Sequence, residues 1–147
     1  MATNIYTSIT IGEQEYSIKK FTAKTGLKIA RFVLAKLAPI IPLLDPSETS
    51  EDKLYTTLGE VLETLSDAEI DDLVDKCLRV CYACLPAGLQ PIIDETGHYG
   101  VEDVEYDLML TLRLCFEAIK WGASDFFGEK GSALKGLLAQ LGLLQNQ

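Results

Sequence analysis

The sequence predicts an α+β fold, mainly α-helical: about five helices, an N-terminal β-hairpin and a second short hairpin before a long central helix. Three observations carry this. Residues 5–11 alternate apolar and polar side chains and run into Gly12, the pattern of a half-buried strand entering a turn. From Ala23 onward the apolar residues recur at helical rather than strand spacing. The longest such run, Tyr106–Phe127, is apolar on two sides, which marks a helix that is central in its domain or shares one side with a partner. A chain of 147 residues suits one domain with a real core. Its expected parts are a hairpin over 1–21, a helical core over 22–127 and a displaceable terminal helix over 128–147.

In the hairpin, Ile5, Ile9 and Ile11 fall on one side and Tyr6, Ser8 and Thr10 on the other. Gly12-Glu13 makes the turn and Gln14–Ile18 the return. Two strands alone are marginal, so this pair must pack on helices or extend a larger sheet. Thr22 then caps a helix from Ala23 to about Ala38, stopped by Pro39. Its apolar side holds Leu27, Ala30, Val33, Leu34 and Leu37, while Lys24, Lys28 and Arg31, with Lys20, form a basic stripe. Pro42, Asp45, Pro46 and Ser47–Ser50 read as a loop or short linker.

Two acidic helices are expected next. The first runs from Glu51 to Leu65 with Leu54, Leu58, Val61, Leu62 and Leu65 facing inward. Ser66-Asp67-Ala68-Glu69 has the form of a capping box and starts a second helix that extends to about Leu85, before Pro86 and Gly88. Within it Ile70, Leu73, Val74, Cys77, Cys81 and Cys84 share a stripe. Ile92-Ile93 and Tyr99–Val101 then flank Asp94-Glu95-Thr96-Gly97 as the second hairpin.

The central helix carries one broad stripe of Leu108, Met109, Leu112, Cys115, Phe116, Ile119, Ala123, Phe126 and Phe127. A narrow polar stripe holds Arg113, Glu117, Lys120 and Ser124. Leu110, Leu114, Ala118 and Trp121 make a second apolar patch. After Gly128-Glu129-Lys130-Gly131, a last helix from Ser132 to about Leu141 aligns Leu134, Leu137, Leu138 and Leu141. Short, and containing Gly136, it must dock on something. The second patch and these terminal leucines are the candidate partner-binding residues, and each is also a candidate cover for the other.

Charge and chemistry narrow the function. The net charge of −9 opposes general nucleic-acid binding. It is uneven: residues 1–44 carry a net +4 and residues 45–107 a net −14, a polarity that suits self-association through Lys20, Lys24, Lys28 and Arg31 or contact with a charged partner. The N-terminus lacks the pattern of a signal peptide and the apolar run near Leu34–Leu44 is too short to span a bilayer, so an intracellular, non-membrane protein is expected. Cys77, Cys81, Cys84 and Cys115 offer one CxxC rather than the paired knuckles of a zinc site and read as small core residues. The acidic run lacks the glycine and spacing of a calcium loop. His98, the single histidine, lies on a turn with no nucleophile placed beside it. No phosphate-cradling loop or nucleophile elbow occurs, so no cofactor and no catalytic role is expected.

The order of elements resembles a known family. ITIGEQEYSIKKFTAKTG leads into a helix, IIDETGHYGVEDVEYDLMLTL leads into the long helix, and EAIKWGASDFFGEKG ends it. Over roughly residues 5–130, and most closely at Val101–Leu112 and Ile119–Phe127, this is similar to the tail assembly chaperones of long-tailed bacteriophages and phage-like elements. The chain departs at Trp121-Gly122, where family members often carry Asn. The resemblance implies a non-enzymatic factor in the cytoplasm of the infected host, absent from the mature virion. It would bind and solubilise the tape measure protein and help recruit tail tube subunits, in many families through a longer frameshifted form. A minor tail or head–tail completion protein, or a small α+β regulatory adaptor, is the competing expectation.

Overall fold

The computed structural model describes residues 5–44 and 51–127. The predicted linker residues 45–50 and the predicted terminal helix with Leu134, Leu137, Leu138 and Leu141 lie outside them. The fold is α+β and mainly helical. It forms two compact units, one of residues 1–23 and 66–122, the other of residues 24–65 and 123–147.

The first unit is built on a four-stranded antiparallel sheet, β1 (Tyr6–Ile11), β2 (Gln14–Lys19), β3 (Cys81–Leu85) and β4 (Gly88–Pro91), in sequential order. The N-terminal hairpin forms as expected, with Gly12 at φ 64° in its turn, a conformation that glycine adopts without a Cβ clash. It does extend a larger sheet, since β2 pairs with β3 at Tyr16↔Ala83 and Ile18↔Cys81. The Gln14 side-chain amide also donates to the Cys84 carbonyl at 2.9 Å.

The helix expected to reach Leu85 is shorter. α3 spans Asp67–Leu78, opened by the capping box: Ser66 Oγ accepts from the Glu69 amide at 3.1 Å and Glu69 Oε1 from the Ser66 amide at 2.9 Å. Residues 81–85 are strand instead, with Cys81 and Ala83 buried and Tyr82 and Cys84 half-buried. Cys77, Cys81 and Cys84 satisfy a 3.6-residue period and Cys81, Ala83 and Leu85 a period of two, so spacing alone is ambiguous. Pairing with β2 decides for strand. The second hairpin is therefore β3–β4, closed by Pro86-Ala87. The segment expected to form it, residues 92–101, keeps one bridge, Ile93↔Tyr99.

A short helix, α4 (Glu102–Glu105), precedes α5 (Leu108–Phe127), which begins two residues later than expected. Leu114, Cys115, Phe116, Ala118 and Ile119 are all buried. At 100° per residue these positions span about 200°, just over half the circumference, so the middle of α5 is central in its unit. Ile18, Leu78, Cys81, Ala83, Ile92 and Val104 complete this core. The remaining arc is the predicted polar stripe, where Arg113 Nε meets Glu117 Oε2 at 3.0 Å.

The second unit contains the body of α1 (Ala23–Lys36), a 3-10 helix (Ala38–Leu44) and α2 (Glu51–Leu62). Leu54, Leu58 and Val61 are buried at i, i+4, i+7, as are Ile29, Ala30, Val33, Leu37, Ile40 and Ile41. The expected inward Leu27 is 65 % exposed, with Ile29 buried instead. The true apolar face of α1 is rotated toward Ile29, Ala30 and Val33, which leaves Leu27 among the lysines.

Candidate functional surfaces

The predicted second patch divides in two. Leu114 and Ala118 are 0 % exposed, so they support the core from beneath and offer no surface. Leu110 and Trp121 are half-buried. The Trp121 indole donates from Nε1 to the Ile5 carbonyl at 3.2 Å, the same oxygen that accepts from the Lys20 amide at 2.7 Å. The Lys20 ammonium lies 4.8 Å from the Trp121 ring centre, in cation–π range. Trp121 thus pins the start of β1 to α5, and Lys20 is engaged there rather than in the basic stripe. Beside it Gly122 meets Phe21: a Cβ built on Gly122 would stand 2.4 Å from Phe21 Cδ2. The first unit needs a glycine here, which gives a structural reason for the Trp121-Gly122 pair.

Three of the four cysteines are packing residues in this setting. Cys77, Cys81 and Cys115 are buried and all four are free thiols. Cys81 Sγ lies 3.4 Å from the Cys77 carbonyl and 3.9 Å from that of Leu114. The hydrogen bond with Cys115 and burial raise the Cys77 thiol well above its ordinary range, and burial does the same for Cys81. A thiol held protonated is a poor nucleophile and metal ligand. His98 is a turn residue with its side chain 83 % exposed. Asp94 Oδ1 accepts from the Thr96 amide and hydroxyl and from the His98 amide, and these bonds hold its carboxyl below the usual range. The cluster organises the Ile93–Tyr99 turn.

Exposed apolar side chains mark the surfaces able to meet a partner. Two places in the first unit stand out. On the sheet, the face opposite Tyr16, Ile18, Cys81 and Ala83 carries Tyr6 and Tyr82, whose rings are 6.4 Å apart and tilted by 56°. The register continues this face through Cys84 and its cross-strand partner Leu89. Tyr6 is 39 % and Leu89 52 % exposed. The second place is the start of α5, where Tyr106, Leu108 and Met109 are all exposed. It adjoins the exposed acids Glu102, Asp103, Glu105 and Asp107. Sequence periodicity placed Leu108 and Met109 on the core stripe; they lie beyond the turn at which the core begins. The sheet-face surface was not foreseen, because its residues on β3 were assigned to a helix. The β-propensity of Tyr82 and the Pro86–Gly88 turn signal were the available clues.

Among the described residues no group of side chains is arranged to hold a metal ion, and no helix is long and apolar enough to cross a membrane. Neither the curated proteins nor the solved structures contain a significant match to this chain. A protein-family model described as phage tail assembly chaperone protein, TAC, matches residues 12–135. That span takes in β2, β3, β4 and α5 and most of both units, and the chain belongs to the phage tail assembly chaperone family.

Proposed function

We propose that this chain acts, without catalysis, in the cytoplasm of the infected host. In this reading it binds and solubilises the tape measure protein and helps recruit tail tube subunits, and it is left out of the finished particle. Family membership carries the reading. The physical need is plain: a long helical protein with an apolar face aggregates unless that face is covered. We assign the cover to the sheet face of Tyr6, Tyr82, Cys84 and Leu89, with the predicted stripe Leu134, Leu137, Leu138 and Leu141 and the half-buried Leu110 as further contacts. Several copies acting together, through the basic stripe and the acidic middle of the chain, would cover a long target.

Co-expression with the tape measure protein tests this. The tape measure should move to the soluble fraction and co-purify with this chain. If it stays insoluble and unbound, the reading fails. A minor tail or completion protein would instead persist in purified particles.

A further inference from the structure

We infer that the outer edge of β1 is a docking site for an extended, uncharged segment of a partner protein, which joins the sheet as a fifth strand. β1 and β4 are the two edges of the sheet. The Lys20 amide donates to the Ile5 carbonyl at 2.7 Å, so Ile5 is turned toward β2. By the alternation of an antiparallel ladder Thr7 and Ile9 are turned the same way, opposite Ile18 and Tyr16. The amides and carbonyls of Ser8 and Thr10 therefore point away from β2, and no backbone group among the described residues pairs with them. Both residues are exposed.

Strand edges are ordinarily protected by charge, proline or a bulge, because a row of open donors and acceptors invites another strand. β4 follows this rule: it is four residues long and ends in Pro91, and the Gly100 backbone packs against Gln90 and Pro91. β1 does not. Residues 5–12 contain no charged residue and no proline, and six consecutive one-to-one pairs with β2 leave no bulge. Thr7, Ile9, Thr10 and Ile11 are β-branched and favour the extended state. The start of the strand is fixed, since the Ile5 carbonyl accepts from both the Lys20 amide and the Trp121 indole. A long, unbulged edge held in place is what β-strand addition uses.

The open groups themselves state the chemistry of the occupant. Donors and acceptors in strand register are matched by an extended backbone and not by a helix, whose backbone groups are satisfied internally. An uncharged strand offers no ion pair, so its complement is a neutral run of alternating apolar and small polar residues. One side of that run would continue the row of half-buried Ile9 and Ile11, and the other would extend the face of Tyr6. The choice of partner rests on the proposed function. There the tape measure is a long helix, so the extended segment belongs to the tail tube subunit.

Amide exchange of the free chain is the first measurement. Ser8 and Thr10 should exchange about tenfold or more faster than Thr7 and Ile9. Equal protection of all four overturns the inference, because the edge is then already covered by another part of the chain or by a second copy. The second measurement is binding of purified tail tube subunit to the full chain without tape measure, so its failure and a failure of tape measure binding are told apart. Binding should slow exchange at Ser8 and Thr10. Ser8→Pro removes an outward amide and no bond to β2, and it should weaken binding by about tenfold or more. Ser8→Lys with Thr10→Lys should do the same by placing charge on the edge, and this pair decides alone if the proline lowers the melt. A parent that does not bind the tube subunit, or well-folded variants that bind it as the parent does, overturn the inference. So does a Ser8→Pro form that keeps the tube subunit and loses the tape measure, which would give the edge to that protein.

Discussion

Replacing Leu114 with Ala separates the two roles that an apolar position on α5 can have. Leu114 is 0 % exposed, and its backbone carbonyl lies 3.9 Å from the buried Cys81 thiol, so the side chain is removed from a packed interior. Burial of this completeness puts the loss in the usual Leu→Ala range of about 2–5 kcal/mol, with about 3 kcal/mol as the central value. For a chain near 150 residues each kcal/mol lowers the melting temperature by about 2–4 °C, so a fall of about 6–12 °C is expected. Thermal unfolding followed by circular dichroism reads it. Leu89→Ala on the exposed sheet face is the control, expected to shift the melt by less than about 1 kcal/mol equivalent. If Leu114→Ala melts like the parent but loses partner binding, Leu114 is an interface residue and the packing argument for α5 is wrong.

Gly122→Ala brings a Cβ to within 2.4 Å of the Phe21 ring and should cost about 1–3 kcal/mol by overpacking, recovered in part by adding Phe21→Leu; denaturant midpoints check both. Ser66→Ala removes one half of the α3 capping box and should cost about 1 kcal/mol, seen as faster amide exchange in the first turn of α3. Stability should fall on the alkaline side. Cys77 and Cys81 have thiols raised in the folded state, so their contribution is fully present below the unfolded thiol value of about 8.5. It is lost as pH rises further, because the unfolded chain releases these protons first. Denaturant midpoints between pH 7 and 10 should decline, and a flat profile would contradict the burial of these thiols. In native protein a thiol reagent should label half-buried Cys84 before the other three, and equal labelling of all four would contradict the same packing.

Helices with strong local signals were legible in the sequence. The capping box at Ser66–Glu69, the Leu54–Leu58–Val61 stripe and the hairpin turn at Gly12 are local features, and each appears where residue chemistry puts it. The surplus apolar surface of Tyr106–Phe127 was also visible, but its meaning was not. Leu114 and Ala118 resemble a spare patch on a helical wheel, yet the sheet needs them as core. That sheet depends on β2 pairing with β3, residues about 65 positions apart in sequence, and no local pattern reports such a pairing. The same gap explains Cys81 and Cys84, whose spacing fits helix and strand alike. Leu27 was misplaced for a different reason: two residues apart on a helix, Leu27 and Ile29 face nearly opposite sides, and packing in the second unit chose the side of Ile29.

The tape measure assignment is tested most directly by co-expressing that protein with the parent chain and with a Tyr82→Ser, Leu89→Ser variant. Both substitutions lie on the partly exposed sheet face, so the variant should fold and melt close to the parent. The account predicts that the parent keeps the tape measure soluble and co-purifies with it, while the variant leaves most of it in the pellet. A well-folded variant that solubilises and binds the tape measure as the parent does would contradict the assignment of that face.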